Sequence, residues 1–252
     1  MMWFCTLVYL ACFASAFDHE KDLWAPHAVA QRPRANYSTM FLYHTRKSSG
    51  TTLRGWAKQM AKQQGMKLIV QEGVVLDTSV FRNPTYLFVT SLRPPIDRIL
   101  SSYVFEGRWS QISRNRTTHN ATPLDVWINK TVKKQNKHHR RVWQCVQNCY
   151  CTWFGGLPNA ACGEVRMMAA LNNLNQFHFV VDTTRLQKNI DSLHKQLGWP
   201  TIQLKRRWAK PNPSSTWHDA FNISESSMLS LLKLNNQDQV LYETVTKTNR
   251  VW

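Results

Sequence analysis

The chain is poor in acidic residues. Asp and Glu together number 15 against 32 Lys and Arg, which gives a formal net charge of +17. The positive excess extends along most of the chain and is densest in residues 130–141 and 205–210. Such a field attracts nucleic acids, anionic glycans, polyanionic cofactors and membrane surfaces, so charge alone does not select a partner.

Several other features are missing. The sequence has no internal repeat, no low-complexity tract, no residues spaced as metal ligands and, after residue 17, no apolar run of membrane-spanning length. The composition of a disordered chain is missing too, because 43% of the residues are hydrophobic, including 11 Trp and 11 Phe. A chain of 252 residues with this composition can bury one sizeable core, or one core with a small appendage.

The first 17 residues contain no charged side chain, and Ala14-Ser15-Ala16 has the form of a signal cleavage site. We therefore expect entry into the secretory pathway, with residues 1–17 as a signal peptide or a short signal-anchor. A buried N-terminal helix is the alternative, which the lack of a polar face disfavours. Residues 18–38 are polar with scattered Pro and are interpreted as a stem or linker, which leaves 39–252 as the folded domain.

Sequons and cysteines agree with a lumenal location. The N-x-[ST] sequons lie at Asn36, Asn115, Asn120, Asn129 and Asn222. Outside the leader the cysteines are Cys145, Cys149, Cys151 and Cys162. This spacing lacks the paired C-x2-C knuckles of common zinc sites, so we predict two disulfides rather than a metal. Four cysteines allow three pairings, and the sequence does not select one.

The stretch HTRKSSGTTLRGW, residues 44–56, links a predicted strand to a predicted helix. The strand is the apolar run 39–44, and the helix places Leu53, Trp56, Ala57 and Met60 on one face before a possible C-cap at Gly65. At such a junction, unpaired backbone N–H groups and the positive end of the helix dipole face one point. The loop therefore suits an anion, most obviously a phosphate.

Strands and helices alternate along the rest of the domain. Further strands are predicted at 66–70, 85–92 and 177–181, and helices at 96–106, 123–135 behind Thr122 as N-cap, 140–154, 164–176, 184–197 and 224–246. This order predicts an α/β three-layer domain with a mostly parallel sheet. Ligands of such a domain bind beyond the carboxyl ends of the strands.

A second candidate anion site follows the strand at 85–92. Arg93 comes directly after the strand, and Arg98 and Ser101 fall within one turn of the next helix. A guanidinium group can engage two phosphate oxygens at once. The alternative is a solvated amphipathic helix in which Arg98 pairs with Asp97 or Glu106.

These two motifs resemble those of the sulfotransferases, in particular the luminal, Golgi-type carbohydrate sulfotransferases. The first motif is similar to that family's 5′-phosphosulfate loop and contains Lys47, Ser48, Ser49, Gly50, Thr51, Thr52 and Leu53. The second is similar to its 3′-phosphate element, R-x-P-x-x-R-x-x-S-x-Y, with Arg93, Pro95, Arg98, Ser101 and Tyr103; Pro94 stands where the family usually has Asp. Weaker similarities lie at 148–156 (NCYCTWFGG) and 235–242 (NNQDQVLY).

The resemblance implies a P-loop-like sulfotransferase fold and 3′-phosphoadenosine 5′-phosphosulfate as the sulfuryl donor, without a metal. Lys47 would neutralise the leaving phosphate oxygen, and a base would remove a proton from the acceptor. Family members use Glu or His as this base. Glu72 follows the strand at 66–70 and is our first candidate, with His44 and Asp77 as alternatives; an ordinary surface carboxylate is the competing interpretation of Glu72.

The leading hypothesis is therefore a sulfotransferase that modifies a hydroxyl or an amine of a glycan in the Golgi lumen, with no nucleic-acid partner. A non-catalytic protein that binds anionic glycans and a protein-tyrosine sulfotransferase are the alternatives. A nucleoside triphosphate enzyme is disfavoured, because the sequence lacks G-x-x-x-x-G-K-[ST]. The acceptor, the sulfated position, the oligomeric state and the choice between a cleaved leader and an anchor stay open.

Overall fold

The structure, a computed structural model, describes residues 37–108, 124–137, 145–156, 162–204 and 223–247. Its strands are β1 (Thr39–His44), β2 (Lys67–Glu72), β3 (Tyr86–Leu92) and β4 (Phe179–Asp182). They form one sheet in the order β2-β1-β3-β4, and every neighbouring pair is parallel. The predicted α/β architecture with a parallel central sheet is confirmed.

Helices separate the strands and follow the last one. They are α1 (Gly50–Gln63), α2 (Pro95–Ser102), α3 (Leu124–Lys137), α4 (Cys149–Phe154), α5 (Glu164–Leu174), α6 (Leu186–Leu197), α7 (Glu225–Leu234) and α8 (Asn236–Lys247). Short 3-10 segments lie at Thr78–Arg82 and Thr183–Arg185, and a π-helical turn, Tyr103–Arg108, directly follows α2.

The position of each strand in the sheet follows from its side chains. All six residues of β1 are buried, as expected of a central strand covered on both faces. The residues of β2, at the edge, are half-buried or exposed, and the strand has a charged residue at each end. On α1, the predicted apolar face is confirmed, because Leu53, Trp56, Ala57 and Met60 are all buried in the cluster that also contains the sheet.

A second cluster lies where α2, the π-helical turn, α3 and α7 meet. Its buried residues are Ile99, Leu100, Tyr103, Leu124, Trp127, Ile128, Val146 and Leu231. This cluster anchors the segment after β3, so the chain that carries Arg93 lies between two packed cores.

Two of the predicted helices differ from the observed ones. Residues 145–148 of the predicted helix 140–154 are not helical, and α4 begins only at Cys149 because Asn148 has a left-handed backbone with φ of 42°. The predicted helix 224–246 is two helices, which meet at Asn235 (φ −127°). At α1 the prediction was closer: Gln64 is the C-cap, and Gly65 takes the positive φ of 65° that suits glycine.

Some predictions lie outside the described residues. These are the leader, most of the stem, the N-cap at Thr122, and the sequons at Asn36, Asn115, Asn120 and Asn222. The remaining sequon residue, Asn129, is exposed on α3. Within the ranges that the structure describes, none of the helices is both long enough and apolar enough to cross a membrane.

Candidate functional site

The loop between β1 and α1 wraps around the beginning of the helix. Lys47 and Ser49 both have left-handed backbones, with φ of 64° and 57°. Ser49 is the N-cap of α1, but its side chain makes no capping hydrogen bond, and the first turn of the helix has no acidic residue. A non-glycine residue in this conformation costs about 1–2 kcal/mol. The fold therefore maintains a costly loop whose adjoining helix N-terminus favours a negative charge.

Gly50, the first residue of α1, packs directly against the imidazole of His44. A Cβ atom at this position would lie 1.9 Å from both Cε1 and Nε2 of that ring. His44 itself is only 5% exposed. Only glycine therefore allows this close approach of helix and ring.

The last residues of β1 and β2 form a pair of ionisable groups. His44 is opposite Glu72 in the parallel register, and its Nδ1 lies 3.2 Å from Oε1 of that carboxylate. The guanidinium of Arg54, on α1, contacts the other carboxylate oxygen. The contact with His44, followed by the charges on the arginines, holds the pKa of Glu72 below its ordinary value. The structure thus brings together Glu72 and His44, which the sequence treated as alternatives.

These residues line a cavity of about 420 Å³, which we call the loop cavity. Its walls are formed by His44, Arg46, Lys47, Gly50, Thr51, Arg54, Glu72 and Phe105. Lys47 Nζ lies 3.1 Å from the centroid of the Phe105 ring, a cation–π contact. Phe105 is 56% exposed and belongs to the π-helical turn after α2. Cations outnumber carboxylates here, so the cavity favours an anionic ligand.

Sequence reasoning missed Phe105, Arg46 and Arg54 as lining residues. The first is carried by a π-helical turn, which has no simple sequence pattern. Arg54 follows Gly50 by four residues, so the helical repeat could have placed it one turn above the loop.

The loop after β1 is joined to the end of β3, the neighbouring strand. Ser91 Oγ donates to the Ser48 carbonyl at 2.9 Å, and Thr45 Oγ1 donates to the Ser91 carbonyl at 2.7 Å. One Nη of Arg93 donates to the Lys47 carbonyl at 3.3 Å. Arg93 is 8% exposed, and burial lowers its pKa. The two predicted anion motifs, which the sequence places about 40 residues apart, thus meet at one edge of the sheet.

Tyr150 of α4 contacts both motifs. Its hydroxyl lies 2.8 Å from the backbone N and 2.8 Å from the carbonyl O of Arg93, and 3.2 Å from Ser48 Oγ. Burial raises the pKa of Tyr150 to about 12, so the phenol keeps its proton at neutral pH. Sequence reasoning did not single out this residue.

Arg98, a predicted phosphate ligand, is turned into the interior. It is 1% exposed, donates to the Cys145 carbonyl at 3.2 Å, and has its guanidinium 5.1–5.5 Å from the rings of Trp153 and Tyr150. The alternative of a solvated helix face is therefore wrong for this residue. Because the Cys145 carbonyl and the two rings hold its guanidinium inside the protein, Arg98 is better placed to support the fold than to bind a phosphate.

Asp77, an alternative base, is the N-cap of the 3-10 segment Thr78–Arg82. Its carboxylate accepts from Ser79 N at 2.9 Å, and this bonding to Ser79 lowers the pKa of Asp77. Asp77 is exposed and does not line the loop cavity. Its position therefore favours a capping role.

The other predicted cofactor residues differ in exposure. Thr51 is exposed and lines the cavity, and Ser49 is half-buried. Ser48 and Thr52 are buried, at 0% and 3% exposure, so Ser48 uses its hydroxyl for Tyr150. Ser101 is half-buried on α2. Only part of the predicted loop therefore presents side chains to a ligand.

The two weaker motifs, at 148–156 and 235–242, contact each other. Asn148 N donates to Asn235 Oδ1 at 3.0 Å, and Asp238 N donates to Asn148 Oδ1 at 3.3 Å. The Asp238 carboxylate accepts from the backbone N–H groups of Tyr150 and Cys151, both at 2.9 Å. Burial raises the pKa of Asp238. We call Asn148, Asn235 and Asp238 the buried clamp; it fixes the N-terminus of α4.

The four cysteines form two pairs at disulfide distance. Cys145 pairs with Cys149 and Cys151 pairs with Cys162, with Cα–Cα separations of 5.7 and 6.0 Å. The pairs flank Tyr150 on either side. The structure thus selects one of the three pairings that the sequence allowed. In the described part of the chain, no group of three or more His, Cys, Asp or Glu side chains could hold a metal ion.

Comparison with known proteins adds no relative. No family model matches the chain, and no curated protein matches it. The similarity of the two anion motifs to those of the sulfotransferases therefore remains a prediction from the sequence.

Proposed function

We propose that the protein is a sulfotransferase that transfers a sulfuryl group from 3′-phosphoadenosine 5′-phosphosulfate to a hydroxyl, or an amine, of a glycan in the secretory pathway. The observation that carries this proposal is that the two loops predicted to bind anions meet at neighbouring strand ends, beside one cavity. The Arg93 side chain donates to the Lys47 carbonyl, so the two loops are in direct contact.

The donor groups fit a ligand with two separate phosphates. Lys47, Thr51 and the N-terminus of α1 face or line the loop cavity and would receive the 5′-phosphosulfate. Arg93, with Ser101 on α2, would receive the 3′-phosphate by charge-assisted hydrogen bonds. The donor molecule supplies the activated sulfuryl group. Lys47 would then stabilise the charge that develops on the phosphate oxygen as the S–O bond breaks.

The Glu72–His44 pair is the best candidate for the proton acceptor. Both groups line the same cavity as Lys47, whereas Asp77 does not. The low pKa of Glu72 keeps its carboxylate ionised at neutral pH. An ionised carboxylate can accept the acceptor's proton directly, or can orient the imidazole of His44 for this task. Arg54 holds the carboxylate in place in either case.

Binding of adenosine 3′,5′-bisphosphate tests the cofactor site. We expect Arg93→Ala to lower the affinity for this ligand about 10- to 150-fold, which corresponds to the loss of one charged hydrogen bond. The affinity for adenosine 5′-phosphate, which lacks the 3′-phosphate, should fall much less. Arg82→Ala is the matched control, because Arg82 is exposed on the 3-10 segment outside the loop cavity. A wild-type protein without affinity for the bisphosphate would contradict the proposal. An equal loss of affinity for both ligands would mean that Arg93 supports the fold and does not bind the 3′-phosphate.

Transfer of radiosulfate from the labelled cofactor to a panel of glycans and tyrosine peptides tests the reaction and the acceptor together. Label in a glycan supports the proposal, and label in a peptide favours the protein-tyrosine alternative. Glycan binding without transfer would indicate the non-catalytic alternative.

The secretory location has a separate test. Asn129 is exposed, as a glycosylated asparagine should be. We expect removal of N-glycans to shift the gel mobility of the protein expressed in secretory cells. No shift, together with recovery from the cytosol, would contradict a lumenal location.

A further inference from the structure

Tyr150 has the geometry of a bridge between the two loops. Its hydroxyl accepts from the Arg93 N–H and donates to the Arg93 carbonyl, both at 2.8 Å. Ser48 Oγ, at 3.2 Å, can donate to the remaining lone pair. A phenol has one proton and two lone pairs, so these contacts use its full hydrogen-bonding capacity. All hydrogen bonds of this hydroxyl are therefore made with the two loops.

Tyr150 is also held by contacts outside the two loops. Its backbone N–H donates to Asp238 at 2.9 Å, and its ring packs edge-on against Trp153, with centroids 6.1 Å apart. Both of its neighbours in the chain, Cys149 and Cys151, are in disulfide pairs. A residue fixed in this way can serve as a reference point for two loops whose separation must be constant.

We infer that Tyr150 is a positioning residue that couples the two phosphate-binding halves of the cofactor site. The inference rests on the proposed function, and it assigns Tyr150 no contact with the ligand, because the residue is fully buried. A ligand with one phosphate needs only one loop in place. A ligand with two phosphates needs Lys47 and Arg93 at a fixed separation, which the Tyr150 hydroxyl maintains through Ser48 and the Arg93 backbone.

The variant Tyr150→Phe removes this bridge and keeps the packed ring. Titration calorimetry with three probes measures the result: adenosine 3′,5′-bisphosphate, adenosine 5′-phosphate and adenosine 3′-phosphate. We expect about tenfold weaker binding of the bisphosphate and a loss of less than about threefold for each monophosphate. Equal losses for the three probes, or no loss, would overturn the inference, because a residue that only supports the fold cannot distinguish them.

Tyr43→Phe is the matched control. Tyr43 is also buried, and its hydroxyl donates to the carbonyls of Val74 at 2.7 Å and Trp153 at 3.3 Å, neither of which belongs to the two loops. We expect this variant to lose stability without a selective loss of bisphosphate binding. A selective loss here as large as that of Tyr150→Phe would also overturn the inference.

If Tyr150→Phe does not fold, Ser48→Ala tests the inference instead, because it removes one contact of the Tyr150 hydroxyl and leaves Tyr150 in place. A selective loss for the bisphosphate supports the coupling, and equal or no losses overturn it. Wild-type protein that binds none of the three probes would overturn the proposed function together with the inference. Wild-type binding with an unselective variant would overturn the inference alone.

Discussion

The loop cavity and the buried clamp use similar residue types in opposite ways. In the loop cavity, Thr51 and Arg54 are exposed, and the charges of Lys47 and Glu72 face a space large enough for a ligand. In the buried clamp, Asn148, Asn235 and Asp238 are at most 6% exposed, and each is hydrogen-bonded to another part of the chain. The loop cavity thus leaves polar groups accessible to a ligand, whereas the polar groups of the buried clamp form hydrogen bonds within the protein.

This difference shows that a polar motif beside the proposed cofactor site can serve the fold instead of a ligand. The segments 148–156 and 235–242 resemble parts of a sulfotransferase, but their side chains bind each other and hold α4. Through α4 they hold Tyr150, and through Tyr150 they reach the loops. We therefore expect changes in the clamp to lower stability and activity together, and removal of the Lys47 charge from the cavity to lower activity with little loss of stability.

The largest effect is expected for Asp238→Ala in the clamp. The change leaves the buried N–H groups of Tyr150 and Cys151 without their acceptor, at about 1–3 kcal/mol each, or about 2–6 kcal/mol of unfolding free energy in total. Denaturant unfolding measures this loss. Glu243→Ala, which removes a half-buried carboxylate that pairs with Lys247 on the same helix, should change the unfolding free energy by less than about 0.5 kcal/mol. Equal stability of the two variants would contradict the structural role of the clamp.

Lys47→Ala in the loop cavity should give the opposite result. Turnover should fall about 10²- to 10³-fold, the effect of removing one electrostatic donor, while cofactor affinity and unfolding free energy change much less. Lys47→Arg should rescue poorly, because a planar guanidinium places its charge differently from an ammonium. Lys58→Ala, at an exposed position on α1, is the control. Near-normal turnover of folded Lys47→Ala would mean that the loop only binds the ligand and takes no part in catalysis.

The sequence was sufficient for the elements that are decided locally. The bounds of β1 were predicted at the observed residues because a continuous apolar run of 6 residues is short for a helix and favours a buried strand. The helix predicted at 140–154 was partly wrong because Asn148 is held in its left-handed backbone by bonds to Asn235 and Asp238, 87 and 90 residues away. No local pattern reports such distant partners.

In the candidate site, too, features decided by local sequence or topology were predicted, and features that depend on distant contacts were not. Parallel topology predicted that ligands bind beyond the carboxyl ends of the strands, and the structure brings Lys47 and Arg93 into contact at that edge. The pairing of His44 with Glu72 depends on the strand register, and the contact of Lys47 with Phe105 depends on a π-helical turn. Tyr150 was missed because its contact with Arg93 is made in the tertiary structure, between residues that are 57 positions apart in the sequence.

A smaller effect is expected for Gly50→Ala, which tests how tightly the loop cavity is packed. The new methyl group would collide with the His44 ring, which must then shift and so disturb its contact with Glu72. We expect a loss of about 1–3 kcal/mol in unfolding free energy, and reduced turnover if the pair accepts the proton. Gly163→Ala is the control, because a Cβ there meets no atom within 4 Å, and its cost as a helix N-cap should stay below about 1 kcal/mol. Identical stability of both variants would contradict the close packing.

The smallest effect concerns the pH dependence of Glu72. Its pKa is lowered in the folded protein by His44 and then by the arginines, so its ionised form stabilises the fold. For a carboxylate with a depressed pKa, this stabilisation is complete above the unfolded pKa of about 4.3 and is lost as pH falls through the lower, folded value. Wild type should therefore be more stable than Glu72→Gln at pH 7, by about 1 kcal/mol or less because the pair is partly exposed, and this advantage should shrink below about pH 4. Thermal unfolding of both proteins at about pH 7 and at several pH values below about 4 measures the change. An advantage of equal size under acidic and neutral conditions would mean that His44 and Arg54 do not hold Glu72 in its ionised form.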